Sequence, residues 1–368
     1  MNLRDKISQL CDIEYSYLSN FIEQNREKKI IAFGASVAGK HAVEFLSSFQ
    51  IEVIFFVDND KRKWGEYIGG VKVIPPDELN KFDKNHPILI TSSYVNEIKE
   101  ELINIGFNNI FNLPLIGNLI HTEELFDGNI LRSNKENILS TYDILCDAKS
   151  QKTYFELLNC RMHGDFSDLS NIVDDSMYFP KDLIDLTSNE VFVDIGAYTG
   201  DTVKLFLDTV DNEYNKIIAY EPEPSNFSKL NEFCNNISNV ITINKGVSHQ
   251  TGEISFSKNM KMESSVAVDG ELTIETVKLD EDLINENNIS FVKMDIEGHE
   301  KSALTGMKRM IKKHRPIMAV CVYHRPTDIF QIPLFLKEIN SNYSIYLYHH
   351  SISVTDTVCY AIDDSNSA

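Results

Sequence analysis

The 368-residue chain exceeds what one hydrophobic core usually organises, so two domains are the expectation. Its 42% hydrophobic and 24% charged residues are ordinary for a globular protein and exclude disorder on the scale of a domain. With 35 basic against 55 acidic residues the net charge is −20, which disfavours DNA or RNA as substrate, because counterion release needs a cationic face.

Six cysteines (Cys11, Cys146, Cys160, Cys234, Cys321 and Cys359) are scattered without a C-x-x-C pair, so neither a disulfide framework nor a zinc site is expected. The opening segment MNLRDKISQLCDIEYSYL lacks the apolar core of a signal peptide, and no apolar run approaches the roughly 20 residues of a membrane span. A cytoplasmic protein without a membrane span or nucleic-acid partner is expected.

In chain order, residues 1–28 read as one amphipathic helix ending in a charged run. Residues 29–118 then alternate strand (KIIAFG, IEVIFFVD, PILITS, NIFNL) with helix (HAVEFLSSF, NEIKEELINIG), which implies βαβ units and a parallel, Rossmann-like sheet. Gly34 and Gly39 take the outer positions of G-x-G-x-x-G, but Ser36 holds the middle one, which works against close approach of a pyrophosphate. Asp58 ends the second strand, where a ribose-binding acid would stand. Gly34, Ser36, Gly39 and Asp58 are therefore a candidate second nucleotide site, against the reading of a vestigial fold used as spacer or dimer surface. The run VDNDKRKWGEYIGGVKVIPPDEL resembles small Rossmann-like domains found with sugar-modifying enzymes, which implies a nucleotide or nucleotide-sugar ligand; Trp64 within it reads as packing.

Residues 119–187 lack strand signals and read as a mostly helical connector. From 188 to 363 a second strand series begins: EVFVDIG, KIIAYEP, VITINKGVS, SFVKMDIEG, IMAVCVYH, SIYLYHH and TVCYAI. Several are apolar throughout, as strands covered on both faces of a parallel sheet should be. Between the third and fourth, GEISFS and ELTIETVKL read as a hairpin, and DDSNSA is a polar tail.

The most informative segment is VFVDIGAYTGDT, where an apolar strand ends in Asp194 and a D-x-G-x-x-x-G turn (Asp194, Gly196, Gly200) leads into a helix. Glycines permit a tight turn and close approach of a ligand, and amides at a helix N-terminus bind anionic groups. The next strand ends at Glu221, where an acid would hydrogen-bond ribose hydroxyls.

These motifs, together with EPEPSNF, GVS, KLDE, KMDIEGHE and VYHRP in that order, resemble the FkbM-type methyltransferases over residues 178–362. The resemblance implies a class I fold with a seven-stranded sheet whose TVCYAI strand is antiparallel, S-adenosylmethionine as cofactor, and in several members O-methylation of sugars or sugar-bearing compounds. Carried over by position, Asp194, Gly196, Ala197, Tyr198, Thr199, Gly200, Asp201 and Thr202 would line the methionine end, and Glu221 with Pro222 would hold the ribose. Gly246 and Ser248, in the turn from Asn244, would lie near the adenine. The expected fold is thus α/β with two Rossmann-like domains.

Methyl transfer to oxygen needs alignment and removal of the hydroxyl proton. His324 is the expected base, because imidazole titrates near neutral pH, and Asp295 ends an apolar strand, where an acid needs a partner. Asp295 could hold the methionine ammonium, orient the base or ligate a divalent metal, although no ligand set follows from sequence. Glu297, His299 and Arg325 are candidate substrate contacts, whereas Glu300 reads as a complement to the helix dipole. Tyr178, Phe179 and Tyr323 read as packing before ring-stacking, and His349 and His350 have position alone in their favour. The expected acceptor is a small molecule or glycan, with a homo-oligomer or a partner biosynthetic enzyme left open. Two other readings compete: an NAD-dependent oxidoreductase acting on a sugar nucleotide through the N-terminal domain, and a non-catalytic nucleotide-sugar-binding scaffold.

Overall fold

A computed structural model describes residues 1–92, 94–112, 128–165, 167–256, 272–352 and 354–363. The chain divides into two compact units, Met1–Lys135 with Glu156–Leu169, and Glu136–Phe155 with Ser170–Ala368.

In the first unit the expected single helix is two, Leu3–Leu10 and Tyr17–Asn25. The break has a local cause: Ser16 is extended, and its hydroxyl accepts from Ser19 N at 3.2 Å, so a fresh N-cap starts the second helix. The sheet contains β1 (Lys29–Phe33), β2 (Glu52–Val57), β3 (Tyr67–Ile68), β4 (Val71–Ile74), β5 (Ile88–Ile90) and β6 (Ile110–Asn112). Its order is β3-β4-β2-β1-β5-β6, parallel except at β3. Along β1, Ile30 and Ala32 enter one core while Ile31 and Phe33 enter another, so apolar clusters cover both faces. The β3–β4 hairpin was not expected from sequence; its signal is the Gly69-Gly70 pair, both at positive φ.

Helices Gly128–Ser133, Lys135–Ile144 and Ala148–His163 follow, so among the described residues of the expected connector the α-helices end at His163; a short 3₁₀ turn spans Ser167–Asn171. Residues 119–127 of that connector lie outside the described residues. Cys146 N donates to Ile345 O at 3.0 Å, a bond within the second unit that ties the chain at Cys146 to that unit's own sheet.

That sheet is built from β7 (Val191–Ile195), β8 (Lys216–Tyr220), β9 (Val240–Ile243), β13 (Phe291–Met294), β14 (Ile317–Cys321), β15 (Tyr343–His349) and β16 (Thr357–Asp363). Its order is β15-β16-β14-β13-β7-β8-β9, with β16 antiparallel to both neighbours, as expected of TVCYAI. A three-stranded sheet holds β10 (Gly246–Val247), β11 (Gly252–Phe256) and β12 (Leu272–Val277). Its antiparallel β11–β12 pair is the expected hairpin, with residues 257–271 outside the described ones. The expected strand VITINKGVS is split, because β9 stops at Ile243 and Gly246–Val247 pair with β12 instead. Among the described residues no helix is long and apolar enough to cross a membrane.

The topology places the site. From β7 the chain winds outward to β8 and β9, then returns to the other side of β7 as β13. The carboxyl ends of β7 and β13 therefore flank the switch point, where open α/β sheets bind ligands.

Candidate active site

Gly196 opens the turn after β7 at φ +79°, and a Cβ there would stand 1.9 Å from Asp295 O. Only glycine lets the turn lie against the end of β13. Gly196 N and Ala197 N both donate to Tyr220 O at 3.0 Å, pinning the turn to β8 as well. Gly200 then precedes helix Asp201–Thr209, whose first amides have no intrahelical partner by construction.

Glu221 meets the turn from the next strand. It is only 4% exposed; its Oε2 accepts from Tyr198 N at 2.9 Å and its Oε1 from Glu223 N at 2.9 Å. Burial pushes this carboxyl up to about 7, against the pull of those two amides and of Lys293. The glycine turn and the acid, 25 residues apart by number from Gly196 to Glu221, are thus one constellation.

Tyr198 is exposed and Thr199 half-buried beside this turn, and Asp201 is exposed at the helix start. Asp194, Ala197 and Thr202 are buried, Asp194 completely. Asp194, expected to line the ligand, turns its carboxylate to Lys293, whose Nζ lies 3.1 Å from Oδ1 and donates to Gly196 O at 2.6 Å. Burial pushes Asp194 up to about 6 while Lys293 opposes it. Lys293 itself went unnoticed in the sequence, although a lysine inside the apolar strand F-V-K-M signals a buried pair. Pro222 is half-buried, and Asn244 Nδ2 donates to Glu221 O at 2.8 Å, tying the following loop to the acid. Gly246 is buried within β10, and the Ser248 hydroxyl, also buried, pairs with Ser302 Oγ at 3.1 Å.

A second cluster stands at the ends of β13 and β14. Asp295, whose side chain is 23% exposed, accepts from Tyr178 Oη at 2.9 Å and Tyr323 Oη at 3.3 Å. His324 Nε2 lies 3.2 Å from Asp295 Oδ1 and 3.5 Å from Glu297 Oε2, and its Nδ1 lies 2.8 Å from Glu300 Oε1. Burial disfavours charge on this ring, but Glu300 and Asp295 outweigh it and hold the imidazole proton well above the ordinary range. Likewise, burial would raise Asp295, yet His324, Lys293 and the Tyr178 hydroxyl hold it below the usual carboxylate range. His324, expected as the base, thus faces Asp295, Glu297 and Glu300 at the ends of these strands.

Glu300 stands in the first turn of helix Glu300–Gly306, fully buried, its Oε1 accepting from Ile296 N at 3.0 Å and Gly298 N at 3.3 Å. The I-E-G-H turn that makes these bonds holds Glu297 at φ +55° and Gly298 at φ +88°. Glu297 and His299 are half-buried, and Arg325 is exposed with its side chain packed over Gly298. Phe179 packs among Phe192, Phe206 and Phe291, and fully buried His349 bonds Thr357 Oγ1 at 2.9 Å.

The methyltransferase FkbM domain model matches residues 194–343, a span that opens on the turn and takes in both clusters. Residues 194–343 are an FkbM methyltransferase domain. Hexuronic acid methyltransferase AglP of Haloferax volcanii is 30% identical over 131 residues, 34% of this chain and 52% of AglP, so the chain spans about half the length of that curated relative. The crystal structure of methyltransferase FkbM from Methylobacillus flagellatus superposes with a TM-score of 0.79 at 22% identity, covering 98% of this chain and 99% of that one. At that identity the likeness is one of fold.

Upstream of the FkbM domain, residues 26–110 match the model described as C2185-like, N-terminal. There, Ser36 Oγ caps its helix by accepting from Gly39 N at 3.2 Å and donates to Thr91 O at 3.2 Å. Gly34 lies against Thr91, and a Cβ on Gly39 would stand 2.5 Å from Gly34 O. Asp58 accepts from Ala35 N at 2.9 Å, Asp60 N at 2.8 Å and Lys63 Nζ at 2.9 Å. All four residues help hold the turn together.

Proposed function

We propose that the C-terminal unit binds S-adenosylmethionine and methylates a hydroxyl of a sugar, glycan or related small metabolite. The observation that carries this reading is the buried Glu221 carboxylate joined to the glycine turn through Tyr198 N. The residues fit the cofactor: a nearly buried acid stands beside the turn, and the first amides of helix Asp201–Thr209 suit a carboxylate. Glu221 would accept from the ribose hydroxyls. Asp194 would act on the same ligand indirectly, through Lys293 and the Gly196 carbonyl.

Bound there, the cofactor supplies a methyl group on a sulfonium centre, open to in-line displacement by oxygen. The chain supplies alignment and a proton acceptor. Asp295 has the position for the latter, partly exposed at the end of β13 beside the turn. A hydroxyl grows strongly acidic as its oxygen takes the methyl group, so a carboxylate held ionised suffices to receive the proton. Tyr178 and Tyr323 fix the direction of that carboxylate, and Arg325 suits an anionic group on the acceptor, such as a uronate; the name of AglP supports an acidic sugar.

Calorimetry of the full chain with S-adenosylhomocysteine tests the cofactor, and mass spectrometry after incubation with deuteriomethyl-labelled donor and candidate uronates tests the acceptor. Saturable binding and a labelled methyl ether are expected. Absence of affinity for donor and product alike would overturn the reading.

A further inference from the structure

We propose that Asp295, Glu300 and His324 hold a divalent cation of the magnesium–manganese kind, with Glu297 on its open side. The three come from separate elements, the end of β13, the first turn of helix Glu300–Gly306 and the end of β14. Each offers one ligand atom, and these atoms lie within 4.8 Å of one another. Ligands about 2.1 Å from an ion stand roughly 3.0 Å apart when adjacent and about 4.2 Å apart when opposite, so modest side-chain adjustment closes the set around one ion.

Two further observations point to a cation. Glu300 is fully buried, and while its Oε1 takes two backbone amides, its Oε2 has no hydrogen-bond partner among the described residues. A buried carboxylate oxygen left this way is costly, and a cation would satisfy it. The His324 side chain is 5% exposed, with carboxylate oxygens 2.8 to 3.5 Å from its ring nitrogens, yet neither nitrogen makes an in-line hydrogen bond. Around Nε2, Asp295 at 3.2 Å and Glu297 at 3.5 Å stand off the ring axis, as neighbouring ligands do when an ion lies on that axis.

Charge agrees. Asp295, Glu297 and Glu300 crowd one imidazole, and the buried lysine nearby is paired with Asp194. Arg325 lies on the solvent side, over Gly298. Carboxylates with one imidazole favour a hard cation over zinc bound by thiolates and several imidazoles. In the methyltransferase reading, on which this clause alone rests, the ion would polarise the acceptor hydroxyl and ease loss of its proton.

The test uses the full chain after treatment with a chelator, titrated with Mn²⁺ and followed by loss of the free-ion electron paramagnetic resonance signal. One Mn²⁺ per chain is expected, with affinity falling at least tenfold in Asp295→Asn and in Glu300→Gln. Competition by Mg²⁺ should restore the free signal. Stabilisation by S-adenosylhomocysteine, measured on each variant, reports whether it is folded and independently tests the cofactor reading. No Mn²⁺ uptake by the wild-type chain, or uptake unchanged in folded Asp295→Asn, overturns the ion site whatever the homocysteine result.

Discussion

Glu221 is a carboxyl whose burial works against its own charge, and this sets two opposite expectations. Its folded value, about 7 against an ordinary 4.5, means that the folded chain binds the extra proton between them, so this group's contribution to stability falls as pH rises through that window. Glu221→Gln should therefore raise the melting temperature of the ligand-free chain at pH 8, by an amount equivalent to about 3 kcal/mol at most. Ribose hydroxyls need the ionised form, so affinity for S-adenosylhomocysteine should drop as pH falls below about 7. In Glu221→Gln, calorimetry should find that dependence gone and affinity roughly tenfold weaker at pH 8, the value of one lost hydrogen bond to a charged group. An unchanged pH profile would remove Glu221 from the ribose. Asp295→Asn belongs to the other cluster: turnover should fall by about 10² or more while homocysteine affinity stays within about threefold. Arg325→Ala should raise KM for an anionic acceptor about tenfold and spare neutral ones, in steady-state assays of paired substrates.

At the scale of elements, the junction of β7 and β13 is held by backbone contact and one buried ion pair. Gly196→Ala would set a methyl group 1.9 Å from Asp295 O at a left-handed φ, so the turn must move off β13. Denaturant melts should show a loss of about 3 kcal/mol or more, together with lost homocysteine binding. Lys293→Met leaves the Asp194 carboxylate buried without its counter-ion and should cost about 3–5 kcal/mol. Adding Asp194→Leu should recover most of that stability without restoring ligand affinity, because the Gly196 carbonyl still lacks its lysine donor. A double mutant as unstable as Lys293→Met alone would show that the lysine acts otherwise.

For the whole molecule, ligand-dependent stability separates the readings, since whatever binds only the folded state raises its melting temperature. S-adenosylhomocysteine at about 100 times its Kd should add roughly 2.7 kcal/mol, and NAD(H) should add nothing. A shift with NAD(H) would revive the N-terminal oxidoreductase reading.

How much of this was legible without coordinates follows from range. Apolar runs such as VFVDI and IMAVC, the D-x-G-x-x-x-G turn and the acid one strand on are local signals, because strand burial and glycine turns act over a few residues. They were sufficient for the fold class, while the antiparallel last strand followed from the family resemblance. The Ser16 cap and the Gly69-Gly70 hairpin were equally local and were passed over. What the tertiary structure alone decided is charge environment. Whether Glu300 lies at the surface or fully buried on His324, what the Asp194 carboxylate faces, and which carboxylates crowd His324 all depend on residues brought together from different strands. Desolvation and the electrostatics of close charges are set by distance in space, which the order of residues along a chain does not state.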